Sequence, residues 1–304
     1  MEGNKAVYEV IKNRIIERLK SAKENGEVFR WVRGWEYDYT GNAYTGRRYK
    51  GINALFLDGK YITYKQLKEF AAKHPETKFV IPKGAKQETV YFYKFESIAE
   101  EIETDEGKVL QAKTIPLIRF YKVFHIDQIE NLAPFFASDV YEHNLTAEMQ
   151  KAEGIIKDFC GRTNLTFEVK TGGSKCCYSP KTHKVTVPKI SQFKSAPEYY
   201  ASVFHEMVHS TAVALGRDIS GGFGSDSYSQ EELVAEIGSQ MIMSRLNMEI
   251  PEVFENSVAY IDGWLNAISS KDIYFVASAC SKAQKACDLI LNELFVANSS
   301  DEAA

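Results

Sequence analysis

His205 and His209 lie four residues apart in the run His205-Glu206-Met207-Val208-His209, and this spacing sets strong terms on the local fold. On a helix, residues four apart sit one above the other on one face. Both imidazoles can then reach a single zinc-sized ion at about 2.0–2.1 Å. Glu206 lies about a quarter-turn away, where it can touch a metal-bound water without binding the metal. The pattern reads as a metal-assisted hydrolase helix.

The surroundings support a buried helix. Tyr199, Tyr200, Phe204, Met207 and Val208 are apolar at helical spacing. A buried helix carrying His, Glu and His needs partners for those polar groups, and a metal supplies one. A catalytic zinc needs a third protein ligand and an open water position. The run Glu231-Glu232-Leu233-Val234-Ala235-Glu236 offers it. Glu232 and Glu236 share a helix face, which suits a ligand followed by a carboxylate that orients the first histidine, as in gluzincins. Glu232 is read as the ligand, Glu236 as the orienting acid and Glu231 as the rival ligand. The metal would lower the pKa of its water toward about 7. Glu206 would take the proton and deliver it to the leaving amine. Tyr178 is a candidate oxyanion donor. Zn²⁺ is the expected ion, and the same donors accept Mn²⁺ or Co²⁺.

Much of the chain does not look like a peptidase. Residues 1–95 hold 19 Lys+Arg against 11 Asp+Glu, whereas residues 131–304 hold 14 against 22. A polyanion would favour the first part and be repelled by the second. No apolar run is long enough to span a membrane, and the charged N-terminus is not a secretory signal. The five cysteines form no CxxC pair, which points to reduced thiols and a cytoplasmic setting.

Periodicity predicts a helix over 4–25, a buried helix or strand at 52–57, and a Thr63-capped helix over 64–73. Strands are expected at 79–81, 89–95 and 118–126, with a Pro82-Lys83-Gly84-Ala85-Lys86 turn and an inserted acidic loop at 96–113. Residues 133–145 read as a connection between a first domain, 1–132, and a second, 146–304. The second opens with a helix over 147–162. Two short strands, 167–169 and 184–188, follow around a Gly172-Gly173 turn. Helices come next at 196–215, 230–245, 254–268 and 271–296. The fold class is α+β with two domains, the second helix-rich.

The first domain mixes cations with aromatic rings. Arg33, Arg47, Arg48, Lys50, Lys83 and Lys86 interleave with Trp31, Trp35 and Tyr49. Cations suit phosphates, and unpaired bases stack on aromatic faces at about 1–3 kcal/mol each. The combination fits single-stranded rather than duplex nucleic acid. Three cations and two glycines in Thr45-Gly46-Arg47-Arg48-Tyr49-Lys50-Gly51 mark a binding loop.

These residues match a family. The chain resembles ArdC-type antirestriction proteins of conjugative plasmids. The N-terminal match rests on Trp31, Trp35, the run Thr45 to Asn53, Tyr64 to Gln66, Pro82 to Gly84, and Val123-Phe124 with Asp127-Gln128. The C-terminal match rests on Tyr178 to Pro180, Tyr199-Tyr200, His205 to His209, Phe223 to Ser225, Tyr228, Glu231 to Glu236, and Ala259-Tyr260 with Trp264-Leu265. The resemblance implies a single-stranded DNA-binding domain, with Asn53 in its binding motif, joined to a zincin-like metallopeptidase domain. It also implies a role in protecting incoming DNA from host restriction, with a host protein as substrate of the metal site. Two positions depart from the family pattern. Ser210 stands where the family usually has Trp, and His183 stands near the place of an acid. The competing readings are a cytosolic metallopeptidase whose first domain recognises protein, and a structural metal site without turnover.

Overall fold

The computed structural model describes residues 2–25, 31, 40–104, 107–136, 145–171, 175–219, 226–248, 265, 268 and 274–293. Helix α1 (Glu2–Asn25) buries Tyr8, Ile11, Ile15, Leu19 and Ala22, a stripe at spacings of three and four. Val10, expected on that stripe, is exposed at 58%. Arg14 ties α1 to its neighbours, donating to Glu88 at 2.8 Å with its guanidinium 4.4 Å above the Phe56 ring.

Strand β1 (Gly41–Asn42), α2 (Ile52–Phe56), β2 (Lys60–Ile62) and α3 (Tyr64–Lys73) follow. The 52–57 segment is therefore a short helix. Gly51 enters it at φ 56, a conformation that costs a glycine little. Thr63 caps α3 as expected. Its hydroxyl accepts from the Gln66 amide while the Gln66 side chain returns to the Thr63 amide.

The first sheet runs β1-β2-β4-β3, with β3 (Gln87–Thr104) and β4 (Gly107–His125) forming a long antiparallel hairpin. Pairing continues from Gln87↔Phe124 out to Thr104↔Gly107. The acidic 96–113 segment is thus the far end of this hairpin rather than an inserted loop. Its many glutamates are weak strand formers, so strand propensity does not mark the segment. The strand expected at 79–81 is reduced to one isolated bridge, Val80↔Glu130.

The expected connection begins with a 3-10 turn at Ala133–Phe136, and its residues 137–144 lie outside those described. Helix α4 (Leu145–Thr163) then leads to a second sheet of order β5-β7-β6. Strands β5 (Thr166–Lys170) and β7 (Lys184–Pro188) are parallel neighbours. The expected pair folded around Gly172-Gly173 is replaced by a crossover, with β6 (Cys177–Ser179) antiparallel on the far side of β7. Gly172 and Gly173 are outside the described residues.

Among the described residues, helices α5 (Ala196–Ser210), α6 (Asp226–Arg245) and α7 (Phe275–Ile290) follow. Ser195 caps α5 by accepting from the Glu198 amide, and Pro197 occupies the first turn. α5 ends five residues before the expected Leu215, and turns carry the chain to Gly216 at φ 64. Of the helix expected at 254–268, only Leu265 and Ile268 are described, both helical.

The class is α+β, as expected. One apolar core runs through both halves of the chain, from Tyr8 and Leu55 to Phe204, Met207 and Cys287. A smaller core of Ile62, Leu67, Phe124, Ile129 and Leu132 lies between α3 and the first sheet.

Candidate metal centre

Helix α5 is anchored by one face. Tyr200, Val203, Phe204, Met207 and Val208 are each at most 1% exposed, whereas His205, Glu206 and His209 lie on the less buried side. Helix α6 packs beside it, with Leu233, Val234 and Ile237 fully buried in the core. Gly238 allows the close approach, since a Cβ there would stand 2.8 Å from Val208 Cγ2.

This packing brings three ligand side chains together. His205 Nε2 and His209 Nε2 are 3.2 Å apart. Glu232 Oε2 lies 3.5 Å from His205 Nε2, and Glu232 Oε1 lies 3.6 Å from His209 Nε2. Ligand atoms at about 2.0–2.1 Å from a tetrahedral ion stand about 3.3–3.4 Å from one another. The separations, taken to a different Glu232 oxygen for each histidine, are therefore close to the edges of a zinc-type tetrahedron. Among the described residues, these three form the group that could hold a metal ion.

The outer ring nitrogens are also supplied with carboxylates. Glu236 Oε2 lies 3.7 Å from His205 Nδ1, an electrostatic contact longer than a hydrogen bond. Glu231 Oε1 lies 3.1 Å from His209 Nδ1. Burial works against a charge on His205, but Glu232 and Glu236 outweigh it and hold its pKa up to about 10. Burial likewise opposes the Glu231 carboxylate, yet His209 and Arg217 keep its pKa below the usual value. Glu231, the rival ligand of the sequence reading, thus faces the outer nitrogen of His209 and Arg217, away from the Nε2 pair. Arg217 and Gln240 carry no motif and were invisible in the sequence. Gln240 donates to Glu236 Oε1 at 2.8 Å.

Tyr178 sits on β6, and its hydroxyl is 2.9 Å from His183 Nδ1. Burial raises its pKa. Cys176, two residues earlier, is pushed up to about 12 by burial and then by the nearby Glu206 charge. Ser210 is buried, and its hydroxyl donates to the Met207 carbonyl.

The residues assigned to nucleic acid divide. Arg47 and Arg48 are exposed on a turn that Asn42 organises, its side-chain Oδ1 accepting from both the backbone amide and the hydroxyl of Thr45. Lys83 and Lys86 are exposed on the turn before β3. These turns adjoin β1 and β3, the two edge strands of the sheet.

Other assignments are corrected. Trp31 is 1% exposed, which makes it a core side chain rather than a stacking face for bases. Asn53 is buried and clamps both backbone groups of Tyr91, at 2.6 and 2.8 Å, so its amide is committed to holding α2 on β3. Tyr49 is mostly buried, and its ring centroid is 6.1 Å from that of Tyr61. Lys50 stays 42% exposed, but its ammonium is engaged with Asp288 at 3.2 Å and Glu293 at 3.9 Å. Arg33 and Trp35 lie outside the described residues.

Fold and site together define a two-domain α+β protein whose C-terminal part has the build of a zincin-like metallopeptidase. Residues 156–282 match the family model described as "Zincin-like metallopeptidase", and residues 5–124 match "N-terminal domain of anti-restriction factor ArdC". The crystal structure of the antirestriction ArdC protein from plasmid R388 is 27% identical. It covers 94% of this chain and 97% of its own, at a TM-score of 0.64, in both metal-free and Mn(II)-bound forms. The chain belongs to the ArdC-type antirestriction family. It is also 31% identical to a DNA primase TraC of Escherichia coli, over 96% of this chain. The chain spans 20% and 27% of the lengths of the two TraC primases that it matches.

Proposed function

We propose that this protein is an antirestriction factor that binds single-stranded DNA through its N-terminal half. Its C-terminal half holds a divalent metal ion on His205, His209 and Glu232. The observation that carries the reading is the convergence of His205, His209 and Glu232, with ligand atoms 3.2–3.6 Å apart between neighbouring side chains, in a chain that also carries an ArdC-type domain.

A divalent ion at this place supplies a Lewis acid and a more acidic water. Zn²⁺ suits two imidazoles and a carboxylate, and Mn²⁺ or Co²⁺ suits them as well. Glu232 brings a negative charge to the centre. Glu236 orients His205. Glu206, partly exposed beside His205, is the general base that takes and returns a proton. A host protein in the cytoplasm is the substrate class. Arg47, Arg48, Lys83 and Lys86 supply phosphate contacts to DNA, with Arg33 and Trp35 joining them on sequence grounds. Among the described residues, no helix is long and apolar enough to cross a membrane.

The test is a gel shift with single- and double-stranded DNA across a salt series, with metal content measured on the same preparations. The expected result is preferential single-strand binding that Arg47→Ala/Arg48→Ala weakens while metal content holds. Absence of DNA binding by the intact protein rejects the DNA half of the reading, and absence of bound metal after Zn²⁺ or Mn²⁺ loading rejects the other half.

A further inference from the structure

Arg217 lies outside every motif of the chain, yet its side chain is 4% exposed and fully engaged. Nε donates to Glu231 Oε2 and Nη2 to Glu231 Oε1, both at 2.9 Å, a two-pronged pair. Nη2 also donates to the Val208 carbonyl at 2.7 Å, and Nη1 to Thr211 Oγ1 at 2.8 Å. The turn at Gly216 brings it there by doubling the chain back along the end of α5, where the Arg217 amide donates to the Ala212 carbonyl. The carbonyl end of a helix favours a cation.

We propose that Arg217 is a positioning residue for the metal centre, acting through Glu231 on His209. This inference rests on the metal reading given above and extends it to a second row of residues. The argument is geometric. An acceptor at His209 Nδ1 keeps that ring's proton on the outer nitrogen and leaves Nε2 to face His205 and Glu232. A lone carboxylate on a single rotatable stem would not hold the ring at one angle. The guanidinium pins both Glu231 oxygens and is itself pinned to α5 at Val208 and Thr211. Glu231, Arg217 and the helix of His209 therefore form a closed ring of contacts around the ligand. A buried carboxylate left without its cation would also carry a heavy desolvation cost. Outer partners of this kind typically account for about 10–100-fold in metal affinity.

The experiment is competitive titration of the full chain with Zn²⁺ and with Mn²⁺, alongside thermal melting of the metal-free form. The variants are Glu231→Gln, Arg217→Lys, Arg217→Met and Thr211→Val. Glu231→Gln and Arg217→Met should each weaken metal binding about 10–100-fold. Their double variant should be no weaker than the worse single, because one chain of contacts is broken in either place. Arg217→Lys should fall between, since it keeps charge but loses the fork. Thr211→Val removes one of the two pins on Arg217 but leaves its fork on Glu231, and should weaken binding by clearly less than Arg217→Met does. If Arg217→Met does not fold, Glu231→Gln decides. Unchanged affinity in folded Glu231→Gln overturns the inference, and so does an equal loss in Thr211→Val. A wild-type chain that binds neither ion would instead reject the metal reading itself.

Discussion

The backbone N–H of Trp31 donates to Gln240 Oε1 at 2.7 Å, joining residues 209 positions apart. The other end of the same amide donates to Glu236, which stands 3.7 Å from His205 Nδ1. One side chain therefore links the N-terminal part of the chain to the acid beside a candidate ligand. Gln240→Leu removes both bonds from a buried place. We expect a loss of about 2–3 kcal/mol, seen as a fall of roughly 3–5 °C in melting temperature. A melting curve identical to wild type would show that the link is idle.

Lys50 and the arginines beside it should separate by experiment. Lys50→Ala leaves the buried Asp288 carboxylate without its cation. Because Lys50 is 42% exposed, the cost should be only about 1 kcal/mol. Arg47→Ala/Arg48→Ala should leave stability within about 0.5 kcal/mol. If each arginine neutralises one phosphate, the pair should lower the salt slope of single-strand binding by about 1.4. Chemical denaturation and a salt titration measure the two effects. The opposite pattern would make Lys50 the DNA contact.

Gly238→Ala tests the approach of the two metal-bearing helices. A methyl group there would meet Val208 Cγ2 at 2.8 Å, inside a packed core. Overpacking of this kind costs about 1–3 kcal/mol, and a helix-favouring alanine returns at most about 1. The expected net is a destabilised protein with weaker metal binding, since α5 must shift relative to Glu232. Raised stability with unchanged metal affinity would show that the helices have slack.

The thiols should react in a fixed order. Cys177 is exposed, Cys176 is half-buried with its pKa pushed up to about 12, and Cys280 and Cys287 are buried. Iodoacetamide at pH 8 should alkylate Cys177 first. Labelling of Cys176 should climb about tenfold per pH unit, because thiolate is the reacting form and remains scarce well below its raised pKa. Cys280 and Cys287 should label only after unfolding. Fragment-resolved mass spectrometry reads each site, and equal early labelling of Cys280 and Cys177 would contradict the packing of α7.

The candidate ligands His205, His209 and Glu232 were legible because helix periodicity fixes which side chains share a face. The Thr63 cap was legible for a similar reason: capping chemistry is local. Glu231 was ambiguous because adjacent glutamates on one helix differ by only 100° of rotation, and the outcome depends on an arginine fourteen positions away. Arg217 and Gln240 left no trace, since a single polar side chain acquires meaning only from tertiary neighbours. Trp31 and Asn53 misled because aromatic and amide groups serve a core or a nucleic acid equally well. Only the far end of the β3–β4 hairpin was hidden, by its glutamates, and the β5–β7 pairing by a crossover that propensity does not encode.

The apolar core that passes from Tyr8 and Leu55 into Met207 and Cys287 makes cooperativity a property of the whole chain. Either half cut away would expose the face it shares with the other. In a calorimeter the intact protein should therefore melt as a single endotherm, with a van't Hoff enthalpy that matches the measured heat. Modules traced by separate family models would then share one unfolding event.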